Sequence, residues 1–212
     1  MRRACQGDIA LQGQGALSLI VRLAEPEPFR KAVGRLRKFE LASGKLAGTD
    51  VTVARTGYTG EEVGFEIFVH PEHAPRLWDL LLEEGRGAGL VPAGLGARDS
   101  LRCEAGFPLH GHELAGPHGI NPIEAGYGSY VKLHKPFFVG RQRALEWHND
   151  RRRTVIRFAI EERGGKVVRA GSPVLAGRRN EYAGRVTSCV STGSRQVGMA
   201  IVESRFAREG MQ

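Results

Sequence analysis

One turn-and-strand stretch, residues 55–69, constrains the fold more than any other part of the chain. It opens with Gly-Tyr-Thr-Gly (57–60), a composition typical of a tight turn. From residue 63 onward apolar side chains alternate with other types, which is the period of a β-strand. The pattern predicts a core face made by Val63, Phe65, Ile67 and Val69. It places Glu66 on the opposite face of that strand.

A carboxylate on such a strand needs a partner, because burying an unpaired charge is costly. The candidate is Arg98, in a segment where Leu95, Arg98, Arg102 and Ala105 recur at helical spacing. Arg98 is predicted to lie on or beside the inward stripe of that helix, where arginine is rarely unpaired. An ordinary ion pair of Arg98 with Asp99 or Glu104 is the structural alternative.

The remaining pattern predicts an α+β region followed by a region of short strands. Helical spacing marks residues 17–24 and 74–82, with Trp78 expected in the core, and residues 51–55 read as a strand. Residues 29–48 are basic and weakly patterned. After the charged run 148–153 the period changes to two, and four short strands are predicted, with glycines supplying turns: 154–160, 173–176, 184–190 and 197–202. We therefore expect domains at 1–150 and 151–212, the second a small β-barrel or sandwich.

Two motifs carry a resemblance to a known family. Arg-Thr-Gly-Tyr-Thr-Gly-Glu…Gly-Phe-Glu-Ile (55–67) and Gly-Leu-Gly-Ala-Arg-Asp-Ser-Leu-Arg…Glu-Ala-Gly (94–106) resemble the aminomethyltransferases, the T-proteins of the glycine cleavage system. The similarity runs from about Asp8 almost to the last residue. It implies a partial folate-binding domain of the aminomethyltransferase type over 1–150 and a small C-terminal β-barrel over 151–212.

The resemblance also implies the ligands and their residues. In the family a one-carbon unit moves from an aminomethyl-lipoyl group to tetrahydrofolate, and ammonia is released. Tetrahydrofolate and a lipoyl carrier protein are therefore the expected cofactor and partner. Glu66 and Arg98 match the positions that bind the folate or the aminomethyl-bearing substrate. Tyr58 is expected to pack on or hydrogen-bond the ligand.

The catalytic residue stays unassigned. The family's catalytic aspartate belongs to an N-terminal segment, whereas this chain opens at what resembles the middle of the folate-binding domain. The surroundings of Asp8 and Asp50 match other places in the family pattern. We therefore expect a tetrahydrofolate-dependent aminomethyltransferase that is N-terminally truncated and inactive as this fragment alone. A folate-binding module without turnover and a folate-dependent demethylase of the same superfamily are the alternatives.

Composition narrows the classes of partner. The formal charge is +8 over 212 residues, but the basic residues are scattered and do not interleave with aromatic ones. Nucleic-acid binding thus ranks below attraction to an anionic small molecule or an acidic protein. No run approaches the ~20 apolar residues of a membrane helix, and the first residues lack the apolar part of a secretory signal. The cysteines, Cys5, Cys103 and Cys189, are far apart, which favours a reducing, cytoplasmic setting.

No metal centre is expected. His110 and His112 would share one face of a strand, but no further ligand at suitable spacing completes a zinc site. A non-enzymatic branch of the superfamily, acting in iron–sulfur cluster maintenance, has a cysteine where this chain has Phe137. That difference argues against an iron–sulfur role.

Overall fold

The computed structural model describes residues 6–160, 166–193, 195–208 and 210. The chain packs as two compact units, Met1–Arg98 and Asp99–Gln212. The division falls inside one helix, α4 (Leu95–Glu104). This division differs from the domain boundary predicted near residue 150, which stays a prediction.

The first unit is built on a five-stranded antiparallel sheet. Its strands are β1 (Gly7–Gln12), β2 (Ala24–Glu25), β3 (Leu41–Leu46), β4 (Thr49–Ala54) and β5 (Gly64–Val69). They are hydrogen-bonded in the order β1-β5-β4-β3-β2. The helices of this unit are α1 (Ala16–Leu23), α2 (Glu27–Val33) and α3 (Ala74–Gly85), with 3₁₀ turns at Pro71–His73 and Arg86–Ala88.

The core of the first unit lies on one face of this sheet. Phe65 and Ile67 of β5 are fully buried, whereas Glu66 and Phe68 between them are partly exposed. The predicted alternation of this strand is therefore confirmed. Leu19 and Ile20 of α1 belong to the same core cluster. Burying a side chain such as Phe65 stabilises the fold by about 1.5–3 kcal/mol.

Two features of this unit differ from the sequence prediction. The weakly patterned stretch 29–48 contains α2 and β3, in which Phe29 packs over Gly44: a Cβ on Gly44 would lie 2.5 Å from Cδ1 of the Phe29 ring. Gly44 therefore gives no apolar signal in the sequence, because the side chain that packs at this position comes from another element. Trp78, predicted to fill the core, is 39% exposed.

The second unit carries a four-stranded antiparallel sheet. It contains α5 (Arg141–Asn149), a 3₁₀ turn at Gly128–Tyr130, β6 (Arg153–Ile160), β7 (Pro173–Ala176), β8 (Glu181–Ser191), β9 (Gln196–Glu203) and a 3₁₀ turn at Ser204–Phe206. The strands follow the order β6-β9-β8-β7. All four predicted strands are present. Within the described residues the outer strands β6 and β7 are not paired with each other, so closure into a barrel is not established.

Candidate functional site

The face of the first sheet that points away from its core presents Glu66. The register pairs Ala10 of β1 and Ala54 of β4 with Glu66 on either side. Directly opposed residues of an antiparallel sheet lie on the same face. The neighbours of the Glu66 side chain across the strands are therefore two methyl groups, and Glu66 itself is partly exposed.

The electrostatic surroundings of Glu66 are mixed. Partial burial and the neighbouring Asp8 carboxylate raise the pKa of Glu66, and Arg98 acts in the opposite direction. Burial also raises the pKa of Asp8. Glu66 is thus a carboxyl group that holds its proton more strongly than a solvated one, within electrostatic reach of a second acid and of one cation.

Arg98 does not occupy the inward position that the sequence predicts. It lies in an exposed part of α4, and within the described part of the chain it forms no ion pair. The structural alternative is wrong as well, because Asp99 pairs with Arg102. The interaction of Arg98 with Glu66 is electrostatic rather than a hydrogen-bonded contact. Arg98 therefore offers an accessible guanidinium group beside the face that carries Glu66.

Tyr58 lies in the turn before β5 and is partly exposed. Gly60 in this turn has a φ of +88°, a conformation that glycine adopts readily. The turn is tied to β1 by Gln12, a residue that the sequence analysis missed. The Gln12 Nε2 group donates to the carbonyls of Thr56 and Phe65, both at 3.3 Å.

The buried arginine of α4 is Arg102, one helical turn after Arg98. It is 0% exposed. Its Nη1 group donates to Glu113 at 2.7 Å, its Nη2 group to Ser188 Oγ at 2.8 Å, and its Nε group to Asp99 at 2.7 Å. Helical spacing placed Arg98 and Arg102 on one stripe, and nothing local in the sequence distinguishes the two.

Glu113 completes this network. It is also 0% exposed, and it accepts from Ser188 Oγ at 2.6 Å and from the Leu109 amide at 3.1 Å. Burial acts to raise the pKa of Glu113, but hydrogen bonds, the one from Ser188 foremost, and the Arg102 charge lower it overall. Each charge is thus satisfied inside the second unit, and the network serves to hold α4 to the 107–113 segment and β8.

The other cavities and reactive groups of the described residues give weaker indications of a functional site. A cavity of about 840 Å³ in the second unit is lined mainly by apolar residues of its sheet and contains none of the predicted site residues.

Burial raises the pKa of Cys103 to about 11, so its thiol is a poor nucleophile. Cys5 lies outside the described residues. In residues 6–160, 166–193, 195–208 and 210, no three His, Cys, Asp or Glu side chains are grouped as metal ligands. None of the helices found in these residues has the length and apolarity needed to cross a membrane.

Comparisons with known proteins agree with the sequence motifs. Residues 4–135 match the model of the GCVT N-terminal domain family. The aminomethyltransferase of Caldanaerobacter subterraneus is 38% identical over 209 residues, which cover 97% of this chain and 53% of that protein. The aminomethyltransferase of Streptomyces avermitilis is 40% identical over 209 residues, which cover 95% of this chain and 53% of that protein.

A solved structure gives the same result. The crystal structure of glycine cleavage system aminomethyltransferase T from Bartonella henselae matches with a TM-score of 0.79 and 29% identity, over 97% of this chain and 54% of that one. The chain therefore spans about half the length of the aminomethyltransferases that it matches. With more than half of its residues matched by the family model, the chain belongs to the GCVT N-terminal domain family.

Proposed function

We propose that this chain carries the tetrahydrofolate-binding part of a glycine cleavage aminomethyltransferase, with Glu66, Arg98 and Tyr58 as its binding residues. The observation that supports this most is the position of Glu66 on an open face of the sheet, with Arg98 acting on its carboxyl group. The matched relatives named aminomethyltransferase support the proposed reaction class.

The chemistry of tetrahydrofolate suits these groups. Its ring offers N–H donors, which a carboxylate such as Glu66 accepts, and its glutamate tail carries the negative charge that a guanidinium group binds. The small side chains of Ala10 and Ala54 leave room beside Glu66, and Tyr58 supplies an aromatic surface. When bound, tetrahydrofolate accepts the one-carbon unit; the residues of this chain bind and orient it.

The partner and the cellular setting follow from the same proposal. An aminomethyl-loaded lipoyl carrier would deliver the one-carbon unit, and a chain of formal charge +8 attracts acidic partners and the folate tail. The spacing of the cysteines suits the reducing cytoplasm.

We further propose that the chain binds folate without transferring the one-carbon unit by itself. Among the described residues, the proposal assigns none to the role of the family's catalytic aspartate. Asp50 is 84% exposed at its side chain and pairs with Lys45 at 3.2 Å. Asp8 raises the pKa of Glu66 electrostatically. Of the two aspartates, it is therefore the one that interacts with the proposed site.

Calorimetric titration with tetrahydrofolate tests the binding residues. Loss of a hydrogen bond to a charged group removes about 1.5–3 kcal/mol, so we expect Glu66→Gln and Arg98→Ala each to weaken binding about tenfold or more. Matched controls are Glu62→Gln and Arg76→Ala, which change exposed residues of the same unit. Wild-type affinity in both site variants would overturn the assignment of these residues.

A second assay tests the reaction. The one-carbon derivative of tetrahydrofolate is measured with an aminomethyl-loaded lipoyl carrier, which also releases ammonia, and in parallel with a methylated amine as donor, which instead releases the demethylated amine. We expect no turnover from the 212-residue chain. Turnover with the carrier would refute the proposed inactivity and make Asp50→Asn and Asp8→Asn the next variants. Turnover with the methylated amine alone would replace the proposal by a demethylase.

A further inference from the structure

The side chain of Gln12 joins the end of β1 to the segment that carries Tyr58. Besides the two bonds that its Nε2 group donates to Thr56 and Phe65, its Oε1 atom accepts from Thr59 Oγ1 at 3.2 Å. One amide group therefore holds the start of the turn, its tip and the beginning of β5. These bonds bracket Tyr58 on both sides in sequence.

Two glycines make the space for this amide group. A Cβ atom on Gly57 or on Gly64 would lie 2.7 Å from the Gln12 Cδ atom, and closer still to Oε1. Neither glycine has a positive φ, whereas Gly60 between them does. Gly57 and Gly64 are thus required by the volume of the Gln12 side chain, and Gly60 by its backbone conformation.

Gln12 also shares a face with the proposed binding carboxylate. The register pairs Gln12 with Gly64 and Ala10 with Glu66, and alternate residues of a strand point the same way. The amide group of Gln12 therefore lies on the Glu66 side of the sheet. Its hydrogen bonds join Thr56 and Thr59 of the turn to the Phe65 carbonyl, which directly precedes Glu66 in β5.

We propose that Gln12 is a positioning residue that fixes the Tyr58 turn relative to Glu66. The inference rests on the proposed function for its consequence, which is tighter binding of tetrahydrofolate. The geometry of the turn itself does not depend on that function. Gln12 touches no reacting group; it acts through Tyr58 and Glu66.

A double-mutant experiment tests the packing that the proposal requires. Gly57→Ala forces a methyl group into the Gln12 amide, so amide hydrogen exchange in residues 56–65 should accelerate at least tenfold. Gln12→Ala should accelerate it similarly. In the double variant the new methyl group occupies vacated space, so exchange should be no faster than in Gln12→Ala alone. Gly60→Ala is the control: its effect comes from φ and should add to that of Gln12→Ala.

Further variants separate positioning from general stability. Gln12→Glu keeps the acceptor for Thr59 but loses both N–H donors, so it should behave like Gln12→Ala. Gln14→Ala, an exposed change two residues along the chain, should match the wild type. Unfolding of the first unit, followed by Trp78 fluorescence in a Trp147→Phe background, should shift little, while tetrahydrofolate affinity falls about tenfold in Gln12→Ala.

The outcomes are distinguishable. Unchanged hydrogen exchange in Gln12→Ala overturns the inference, whatever the folate result. Faster exchange with unchanged tetrahydrofolate affinity also overturns it, because the residue is then only structural. If the wild type itself does not bind tetrahydrofolate, the proposed function fails, and the exchange of residues 56–65 alone decides whether Gln12 positions the turn.

Discussion

Removing the Glu113 carboxylate is expected to destabilise the second unit severely. Glu113 and Arg102 both have side chains that are 0% exposed and lie 2.7 Å apart. Glu113→Ala removes the buried one of the two charge partners of Arg102. It also leaves the Leu109 amide and the Ser188 hydroxyl without their acceptor. The effect is local to the second unit, which contains all four residues.

The magnitude follows from the partners that remain. Breaking a buried ion pair typically costs about 3–5 kcal/mol. Arg102 keeps Asp99 and the Phe107 carbonyl as acceptors, so the lower end, about 3 kcal/mol, is expected. With a urea dependence of about 1–3 kcal/mol/M, the midpoint should fall by about 1–3 M. Replacing both charges, as in Arg102→Met with Glu113→Leu, should recover most of the loss, since apolar replacements of buried pairs are often neutral.

Urea unfolding measures this loss in the second unit alone. Trp147 of α5 belongs to that unit and Trp78 of α3 to the other, so a Trp78→Phe background leaves a single reporter. Glu203→Ala is the control, because it breaks an exposed pair with Arg205 and should cost at most about 1 kcal/mol. A Glu113→Ala midpoint within error of the Glu203→Ala midpoint would refute the reasoning.

Three further changes test other parts of the chain. Glu66→Gln should stabilise the first unit at pH 7 but not at pH 4. Because the pKa of Glu66 is raised in the folded state, the stability of the wild type falls as the pH rises from 4.5 through the folded pKa. Equal stability of the variant and the wild type at pH 7, in urea unfolding followed by Trp78 fluorescence, would contradict this. Gly44→Ala should destabilise the same unit by about 1–3 kcal/mol through overpacking against Phe29, and Phe29→Leu should restore part of the loss in a thermal melt. Cys103, 3% exposed and with a pKa of about 11, should resist iodoacetamide in the folded protein at pH 7.4; peptide mass spectrometry that finds it alkylated as fast as an unfolded control contradicts the assignment.

The sequence predicted those helices and strands in which apolar residues recur with the helical or strand period. In β5 the period of two puts Phe65 and Ile67 in the core, and in α3 the spacing of Leu77 and Leu81 does the same. Both patterns are local, because each element meets the core along one face. The four strands of the second sheet were also predicted from a period of two, although β9 is buried along most of its length rather than at alternate residues.

The remaining features depend on residues far away in the chain. The sequence of β3 shows no apolar residue at Gly44, because the side chain that packs there is Phe29 of α2. The choice between Arg98 and Arg102 as the buried arginine is made by Glu113 and Ser188. No local period contains that information, so the sequence could name the two candidates but could not decide between them.

Glu66 interacts with Arg98 and Glu113 with Arg102. The surroundings of these two acids explain why a binding site is proposed at Glu66 and not at Glu113. Glu113 has a charge partner and hydrogen-bond donors that together lower its pKa. Its charge is therefore fully compensated by groups of the fold. Glu66 has a raised pKa, a second acid nearby and only an electrostatic interaction with Arg98, so in the free protein its ionised form is incompletely compensated. A ligand with N–H donors and a carboxylate would supply what both Glu66 and Arg98 lack. A partly exposed carboxyl group with a perturbed pKa, such as that of Glu66, is typical of binding sites, and it supports the folate proposal for the first unit.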